Sequence, residues 1–274
     1  MIRVLICETV RVTDALVATS PTDADFAVMA DWVRSAGRIT VLTGAGISTT
    51  SGIPDFRGKD GLWTKNPAAE KASTLSVYLH DEEVRRAAWQ ARVNNLVRAS
   101  FEPNISHRAL VHLDRQGRLR AVVTQNVDGL HEAAGHTEDR VIAVHGTWAY
   151  SRCWSCRDRL PMSATLERVI AGDPDPKCLQ CGGVLKSDTI LFEEPLVPEV
   201  IAAAMEAAED CDLLLAIGTK LSVTPAANVV PRARAAGARV VIINNEPTDG
   251  DRYAQGHVRG DIAALLPALV GYSE

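Results

Sequence analysis

Five short runs, almost apolar from end to end, constrain the fold of this chain more than any other feature. They are Ile39-Thr40-Val41-Leu42-Thr43, Ala121-Val122-Val123-Thr124, Val141-Ile142-Ala143-Val144, Leu213-Leu214-Leu215-Ala216-Ile217 and Val240-Val241-Ile242-Ile243. Runs of four or five residues are strand-length, and their lack of alternation indicates a sheet covered on both faces. Helical patterns lie around and between them. Phe26, Met29, Ala30 and Val33 keep helical spacing, with Gly37 where a C-cap glycine belongs. Glu82 to Val97, Pro225 to Ala236 before Gly237, and Asp261 to Val270 also read as helices, and Val240–Ile243 reads as the last strand. Strands alternating with helices predict an α/β fold with a doubly wound parallel sheet. Polar residues gather at the carboxyl ends of the runs: Thr43, Gln125, Asn126, His145, Thr219 and Asn244. In open parallel sheets that crevice is where ligands bind.

The 274 residues are enough for one or two domains with a large core. We expect an N-terminal extension or edge strand over 1–22, ahead of the linker-like Thr19-Ser20-Pro21-Thr22, and one main domain over 23–274. Two inserts interrupt it, a helical one at about 59–100 and a Pro-, Gly- and charge-rich one at about 147–187. No run approaches the ~20 apolar residues of a membrane span. Val4-Leu5-Ile6-Cys7 is too short for a signal segment and is followed by Glu8, so the expected location is cytoplasmic. A net charge of −5 argues against a general nucleic-acid binder.

Four of the six cysteines form C-x2-C, then twenty-one residues, then C-x2-C: Cys153, Cys156, Cys178 and Cys181. In a chain without a signal this spacing favours a metal over disulfides. Four thiolates close a tetrahedral Zn²⁺ site and leave no place for water, so the ion should be structural. Cys7 and Cys211 read as buried core thiols.

The first strand runs directly into Gly44-Ala45-Gly46-Ile47-Ser48, then Gly52-Ile53-Pro54-Asp55-Phe56-Arg57-Gly58. Glycines here would let the backbone approach a pyrophosphate, with a helix start behind it. The third glycine of the dehydrogenase fingerprint is missing. With Thr124-Gln125-Asn126-Val127-Asp128-Gly129-Leu130-His131, His145-Gly146 and the four cysteines in this order, the chain resembles the sirtuin family, the NAD-dependent protein deacylases, over about 24–270.

The resemblance implies that NAD is consumed and that an acylated-lysine protein is the partner, with no membrane or nucleic-acid partner. The acyl oxygen attacks the ribose carbon bearing nicotinamide, and a histidine then deprotonates a ribose hydroxyl that attacks the resulting imidate. By similarity His145 is that base. Asn126 and Asp128 would hold the nicotinamide amide and order water, with Ile53 and Asp55 lining the same pocket. Phe56 would shield the reacting carbon. Arg57 would steady the phosphates or their loop, unless it is a surface ion-pair partner. Gln125 would bond the nicotinamide ribose, with Val127 and Trp63 also touching NAD. Gly218, Thr219, Asn244, Asn245 and Glu246 would hold the adenosine half, and Ile262 would pack on adenine. His131 should be structural.

Three positions depart from the family pattern. The usual F-G-E is Phe192-Glu193-Glu194, and Glu193 either turns to solvent or faces the substrate peptide. In the second case basic residues flanking the acyl-lysine should be preferred. The usual G-T-S is Gly218-Thr219-Lys220; Lys220 reaches the adenosine ribose or a phosphate, or else is solvated. Members that select succinyl or malonyl groups resemble one another in Tyr-x-x-Arg, and here Trp89-Gln90-Ala91-Arg92 lacks the tyrosine hydroxyl. Deacetylation is therefore the expected activity. ADP-ribosyl transfer or NAD hydrolysis in the same cleft is the alternative, and a non-catalytic NAD sensor is a third reading.

Overall fold

The computed structural model describes residues 23–55, 58, 61–98 and 101–273. The expectations for 1–22, including Cys7, and for Phe56 and Arg57 lie outside the described residues. Strands β1 (Ile39–Thr43), β2 (Leu119–Thr124), β3 (Val141–Ala143), β7 (Leu213–Ile217), β8 (Arg239–Ile243) and β9 (Gly256–Val258) form one sheet in the order β3-β2-β1-β7-β8-β9, every pair parallel. The chain starts at the centre, winds outward to β3, and returns to β7 beside β1 before winding the other way. The reversal between β1 and β7 opens a crevice at their carboxyl ends.

Alternate residues of the central strands divide between two cores. Ile39, Val41, Leu213, Leu215, Ile217, Val241 and Ile243 pack on one face beneath helices α1 (Asp23–Ser35), α6 (Ile105–Arg115) and α11 (Ile262–Val270). Leu42, Leu214, Ala216, Val240 and Ile242 pack on the other beneath α9 (Pro198–Glu209) and α10 (Val229–Ala235). Full burial on both sides is why the strands read as continuous apolar runs.

The helical insert holds α2 (Leu62–Lys65), α3 (Pro67–Ala72), α4 (Leu75–His80) and α5 (Glu82–Arg98). After α7 (Leu130–Ala134) comes a second sheet, β5-β4-β6, from β4 (Gly146–Cys153), β5 (Arg159–Pro161) and β6 (Leu185–Thr189), with α8 (Met162–Ile170) against it. Trp89 of α5 is buried with Cys153, Met162, Leu166 and Leu185, so the helical insert and the cysteine module share a core. Buried Arg85 forms a two-pronged ion pair with Asp175 and also donates to Tyr78 O and Leu79 O.

Three local expectations are corrected. Gly37 is not a left-handed cap: its N–H donates to Asp212 Oδ2 at 3.0 Å, tying the β1 entry to that of β7. Val240–Ile243 is not the last strand, because β9 follows; three residues including a glycine and a histidine carry no apolar run. The stretch from Pro225 opens as a 3₁₀ turn over Ala226–Asn228 before α10 begins.

Candidate active site

A cleft of about 1550 Å³ lies at the carboxyl ends of the large sheet, walled on its far side by the helical insert and the smaller sheet. Its floor is the β1/β7 reversal. Gly44 N–H donates to Ile217 O at 3.0 Å and Gly46 N–H to Gly218 O at 2.9 Å. A Cβ on Gly44 would stand 2.7 Å from Gly218 O, and one on Gly46 2.7 Å from Gly218 Cα. Gly218 itself sits at φ 62, and its Cβ would meet Ile47 N at 2.5 Å. The glycines are thus required first by contact of two loop backbones. The expected helix start behind Gly44 is a seven-residue 3₁₀ stretch, Ala45–Ser51. Gly44, Ala45 and Gly46 line the cleft, whereas Ile47 is core and fully buried Ser48 stands behind the wall. Half-buried Ile53 is not part of the wall, while Asp55 is, its Oδ1 accepting from Gly58 N–H at 2.8 Å.

Ser48 orders the loop after β2. Its hydroxyl donates to Asp128 Oδ2 at 2.7 Å and accepts from Asn126 Nδ2 at 3.2 Å. Asn126 Nδ2 also donates to Gly44 O at 3.1 Å. With both amide hydrogens taken, Asn126 offers a ligand its carbonyl oxygen, an acceptor for a carboxamide NH₂. Burial raises the Asp128 carboxyl above its ordinary value, opposed by the bonds from Leu130 N–H and Ser48. Gln125 Nε2 donates to Thr219 Oγ1 at 2.9 Å, joining this loop to the one after β7.

His145 enters the wall from the β3–β4 turn. Its Nδ1 lies 3.1 Å from Gln125 O. A carbonyl can only accept, so Nδ1 carries the proton and Nε2 keeps its lone pair when the ring is neutral. Burial pushes the imidazole below its usual value, partly offset by the Gln125 bond. His131 is buried within the fold, its Nε2 3.0 Å from Thr43 Oγ1, in keeping with a structural role.

On the other side of the reversal, Gly218, Thr219, Lys220, Asn244, Asn245, Glu246 and Ile262 all border the cleft. Lys220 Nζ is exposed and ion-paired with Glu246 at the rim of the cleft. Sequence reasoning missed Arg259. Its guanidinium donates to Asn244 O at 3.2 Å, Glu246 O at 2.7 Å and Asp251 Oδ2 at 2.5 Å, holding the 244–246 loop by its carbonyls. It also missed Trp148, whose N–H and Nε1–H donate to Val127 O and Asp128 O at 3.0 and 2.9 Å. A lone Arg or Trp beside a strand gives no motif.

At the opposite wall, Trp63 and Phe192 meet with ring centroids 5.3 Å apart. Glu194 N–H donates to Leu191 O at 3.0 Å, closing a turn in which Glu193 takes φ 71. That backbone is the reason a glycine suits this position. Glu193 Oε2 accepts from Ser76 N–H at 3.0 Å, capping the start of α4, and hydrogen bonding from the Ser76 side chain and then its N–H holds the carboxyl below the ordinary range. The side chain is exposed, as in the solvent-facing alternative, with one carboxylate oxygen bonded to the start of α4. Beneath the turn, buried Lys186 Nζ is 3.0 Å from Glu194 Oε2. Arg92 borders the cleft, but its guanidinium already donates to Ala88 O and Ser187 Oγ.

The four cysteine sulfurs lie within 4.8 Å of one another, 3.5 Å between Cys153 and Cys181 and 3.6 Å between Cys156 and Cys178. A tetrahedron with Zn–S of about 2.3 Å has edges of about 3.8 Å, whereas a disulfide would need about 2.05 Å. The thiolates are placed to hold one structural Zn²⁺, which ties together the loop after β4 and the loop before β6. Cys211 is a buried thiol donating to Ala208 O.

A parallel sheet reversing at a glycine-locked floor, with His145, Asn126 and Asp128 on the wall of the cleft above it, is the architecture of a dinucleotide-binding fold. The Sir2 family pattern matches residues 44–225, and the chain belongs to that family. The NAD-dependent protein deacetylase 2 of Streptomyces coelicolor is 45% identical over 232 residues, covering 85% of this chain and 96% of the relative. The NAD-dependent protein deacylase 2 of Archaeoglobus fulgidus is 37% identical, covering 88% and 96%. Among solved structures, one described as the structural basis for the mechanism and regulation of Sir2 enzymes superposes with a TM-score of 0.81 at 34% identity, over 91% of this chain and 98% of that one. A Sir2 variant with deacetylated p53 peptide and 3′-O-acetyl ADP-ribose gives 0.79 at 26%, over 91% and 100%.

Proposed function

We propose that this chain is an NAD-dependent protein-lysine deacetylase, releasing nicotinamide, O-acetyl-ADP-ribose and free lysine. The observation that carries the reading is His145: neutral by burial, anchored through Nδ1, with Nε2 left as a base on the wall shared by Asn126 and Asp128. NAD is a substrate here. Asn126 O and Asp128 receive the carboxamide NH₂ of nicotinamide, and Gln125 with Thr219 faces the ribose. The loop held by Arg259 takes the adenosine half. The substrate is a protein carrying acyl-lysine, whose chain enters beside Phe192 and the turn at Glu193. The acyl oxygen displaces nicotinamide from the ribose to give an imidate. His145 Nε2 then removes the ribose hydroxyl proton and that oxygen attacks the imidate carbon. Water then adds and the lysine leaves as the free amine, so nicotinamide departure and acyl transfer are separate steps. Retention of this base favours deacylation over simple NAD hydrolysis, which requires no activated ribose hydroxyl.

Arg92, engaged by Ala88 and Ser187 beside a fully buried Trp89, favours a neutral acyl group over a dicarboxylic one. Among the described residues no helix is long and apolar enough to cross a membrane, and we place the protein in the cytoplasm. The test is incubation with NAD and acetyl-, propionyl- and succinyl-lysine peptides, with products identified by mass. Acetyl-lysine loss matched by O-acetyl-ADP-ribose is expected. Nicotinamide release without deacylation of any peptide would instead select the transferase or hydrolase reading, and no turnover the sensor.

A further inference from the structure

Behind the Asn126 loop, three histidines are buried side by side: His107 on α6, His131 on α7 and His136 just after α7. Ring centroids are 5.0 Å apart for His107 and His131 and 6.1 Å for His131 and His136. Each ring has one bonded nitrogen and one buried nitrogen without a protein partner: His107 Nε2, His131 Nδ1 and His136 Nε2. Three such atoms in neighbouring rings are unusual, because buried polar groups are nearly always satisfied.

The bonded nitrogens assign the protons. His107 Nδ1 accepts from Asn104 N–H at 3.3 Å, so its Nε2 carries hydrogen and needs an acceptor. Thr43 Oγ1 donates to Thr124 Oγ1 at 2.8 Å, so the contact between Thr43 Oγ1 and His131 Nε2 requires Nε2–H. His131 Nδ1 is then a lone pair needing a donor. His136 Nδ1 donates to the Asp114 carboxylate at 2.9 Å, and in the neutral ring its Nε2 is a second lone pair. One donor and two acceptors remain. A metal ion does not fit, because it needs a lone pair from every ring and His107 Nε2 bears a hydrogen. The donor and acceptor count is that of a water molecule, which accepts once and donates twice, the usual three bonds of a buried water.

We infer that His107, His131 and His136 enclose a single bound water, and that this water sets the direction of a hydrogen-bond relay ending at Asn126. By donating to His131 Nδ1 it keeps the proton on Nε2. Nε2–H donates to Thr43 Oγ1, Thr43 donates to Thr124 Oγ1, and Thr124 Oγ1 also accepts the Asn126 backbone N–H at 3.0 Å. In the opposite tautomer His131 Nε2 would claim the Thr43 proton, and Thr43 would cease donating to Thr124. His131 is therefore a positioning residue for Asn126, and the water holds it in register. The inference concerns the scaffold of the site proposed above and does not depend on which reaction runs there.

The test is imidazole ¹⁵N NMR of the full chain at pH 8, with water-to-imidazole cross-relaxation. Expected are Nε2–H tautomers for His107 and His131, Nδ1–H for His136, and exchange with a long-lived water. A dry cluster in which His107 Nε2–H bonds His131 Nδ1 directly, or an Nδ1–H tautomer at His131, would overturn it. Backbone amide exchange of Asn126 gives a second readout that is independent of activity. His131→Phe should speed it about tenfold or more, and His131→Gln, which keeps a donor toward Thr43, should restore most of the protection. Equal protection in wild type and His131→Phe would show that no relay reaches Asn126.

Discussion

The buried histidines make the fold sensitive to acid in a defined window. Burial, with the nearby His136 and Arg108 adding, pushes the His107 imidazole down to about 4. His131 is driven well below its ordinary value by burial, with His107 and His136 acting in the same direction. In the unfolded chain both titrate near ~6.5. Between those values the unfolded state binds more protons than the folded one, so stability is full above about 6.5 and is lost as pH falls. For His107 alone, the ~2.5-unit gap works out to about 2 kcal/mol lost between pH 7 and pH 5. His131 and His145 add losses of the same sign. Burial lifts Asp175, but Arg85 and Lys177 outweigh it and hold the group below its usual value, so its share is lost only at lower pH. Asp128, raised by burial, acts with the opposite sign.

Against a typical stability of roughly 5–15 kcal/mol, such a loss is easily measured. The assay is urea unfolding at pH 7, 6 and 5 for wild type and His107→Asn. The asparagine oxygen can still accept the Asn104 N–H, but the residue does not titrate. Release of zinc at low pH acts on both proteins, so the difference between them isolates His107. The variant should lose about 2 kcal/mol less than wild type between pH 7 and pH 5. Parallel pH profiles for the two proteins would mean that His107 is not the buried neutral group described here.

Four further outcomes follow from the same geometry. His145→Ala should lower deacetylation by about 10²–10⁴ while NAD binding persists, and near-normal turnover would remove His145 as the base. Elemental analysis should give one zinc per chain, and Cys178→Ser should release it and loosen the smaller sheet; metal-free purified protein would contradict the thiolate site. Arg259→Ala should raise KM for NAD several-fold with little change in kcat, as expected for lost uniform binding, with Arg259→Lys intermediate; an unchanged KM would separate Arg259 from the nucleotide. Matched acetyl-peptides with Lys, Ala or Glu flanks should share one KM, since Glu193 is committed to Ser76; a salt-sensitive preference for Lys would put that side chain back on the peptide.

What was legible in the sequence, and what was not, divides along a physical line. The central strands could be read because both faces are buried, so every residue reports the same environment. β9 could not, because its three residues Gly256, His257 and Val258 include only one large apolar side chain. The cysteine cluster could be read, and His145, Asn126 and Asp128 could be named as candidates, because the expected roles depend on the chemistry of the side chain itself. Arg259 and Trp148 act on main-chain carbonyls, which every residue possesses, so their partners leave no trace in the sequence. Glu193 shows the same limit from the other side: its departure from glycine suggested contact with substrate, whereas the position is governed by a φ of 71 and a helix start one layer away. Even Gly44 and Gly46, singled out for approach to a pyrophosphate, are required by the backbone of Gly218 before any phosphate arrives. Residues that touch ligands are therefore found by their type, while those that hold the ligand-binding loops in place are found only once the main chain they grip has been located.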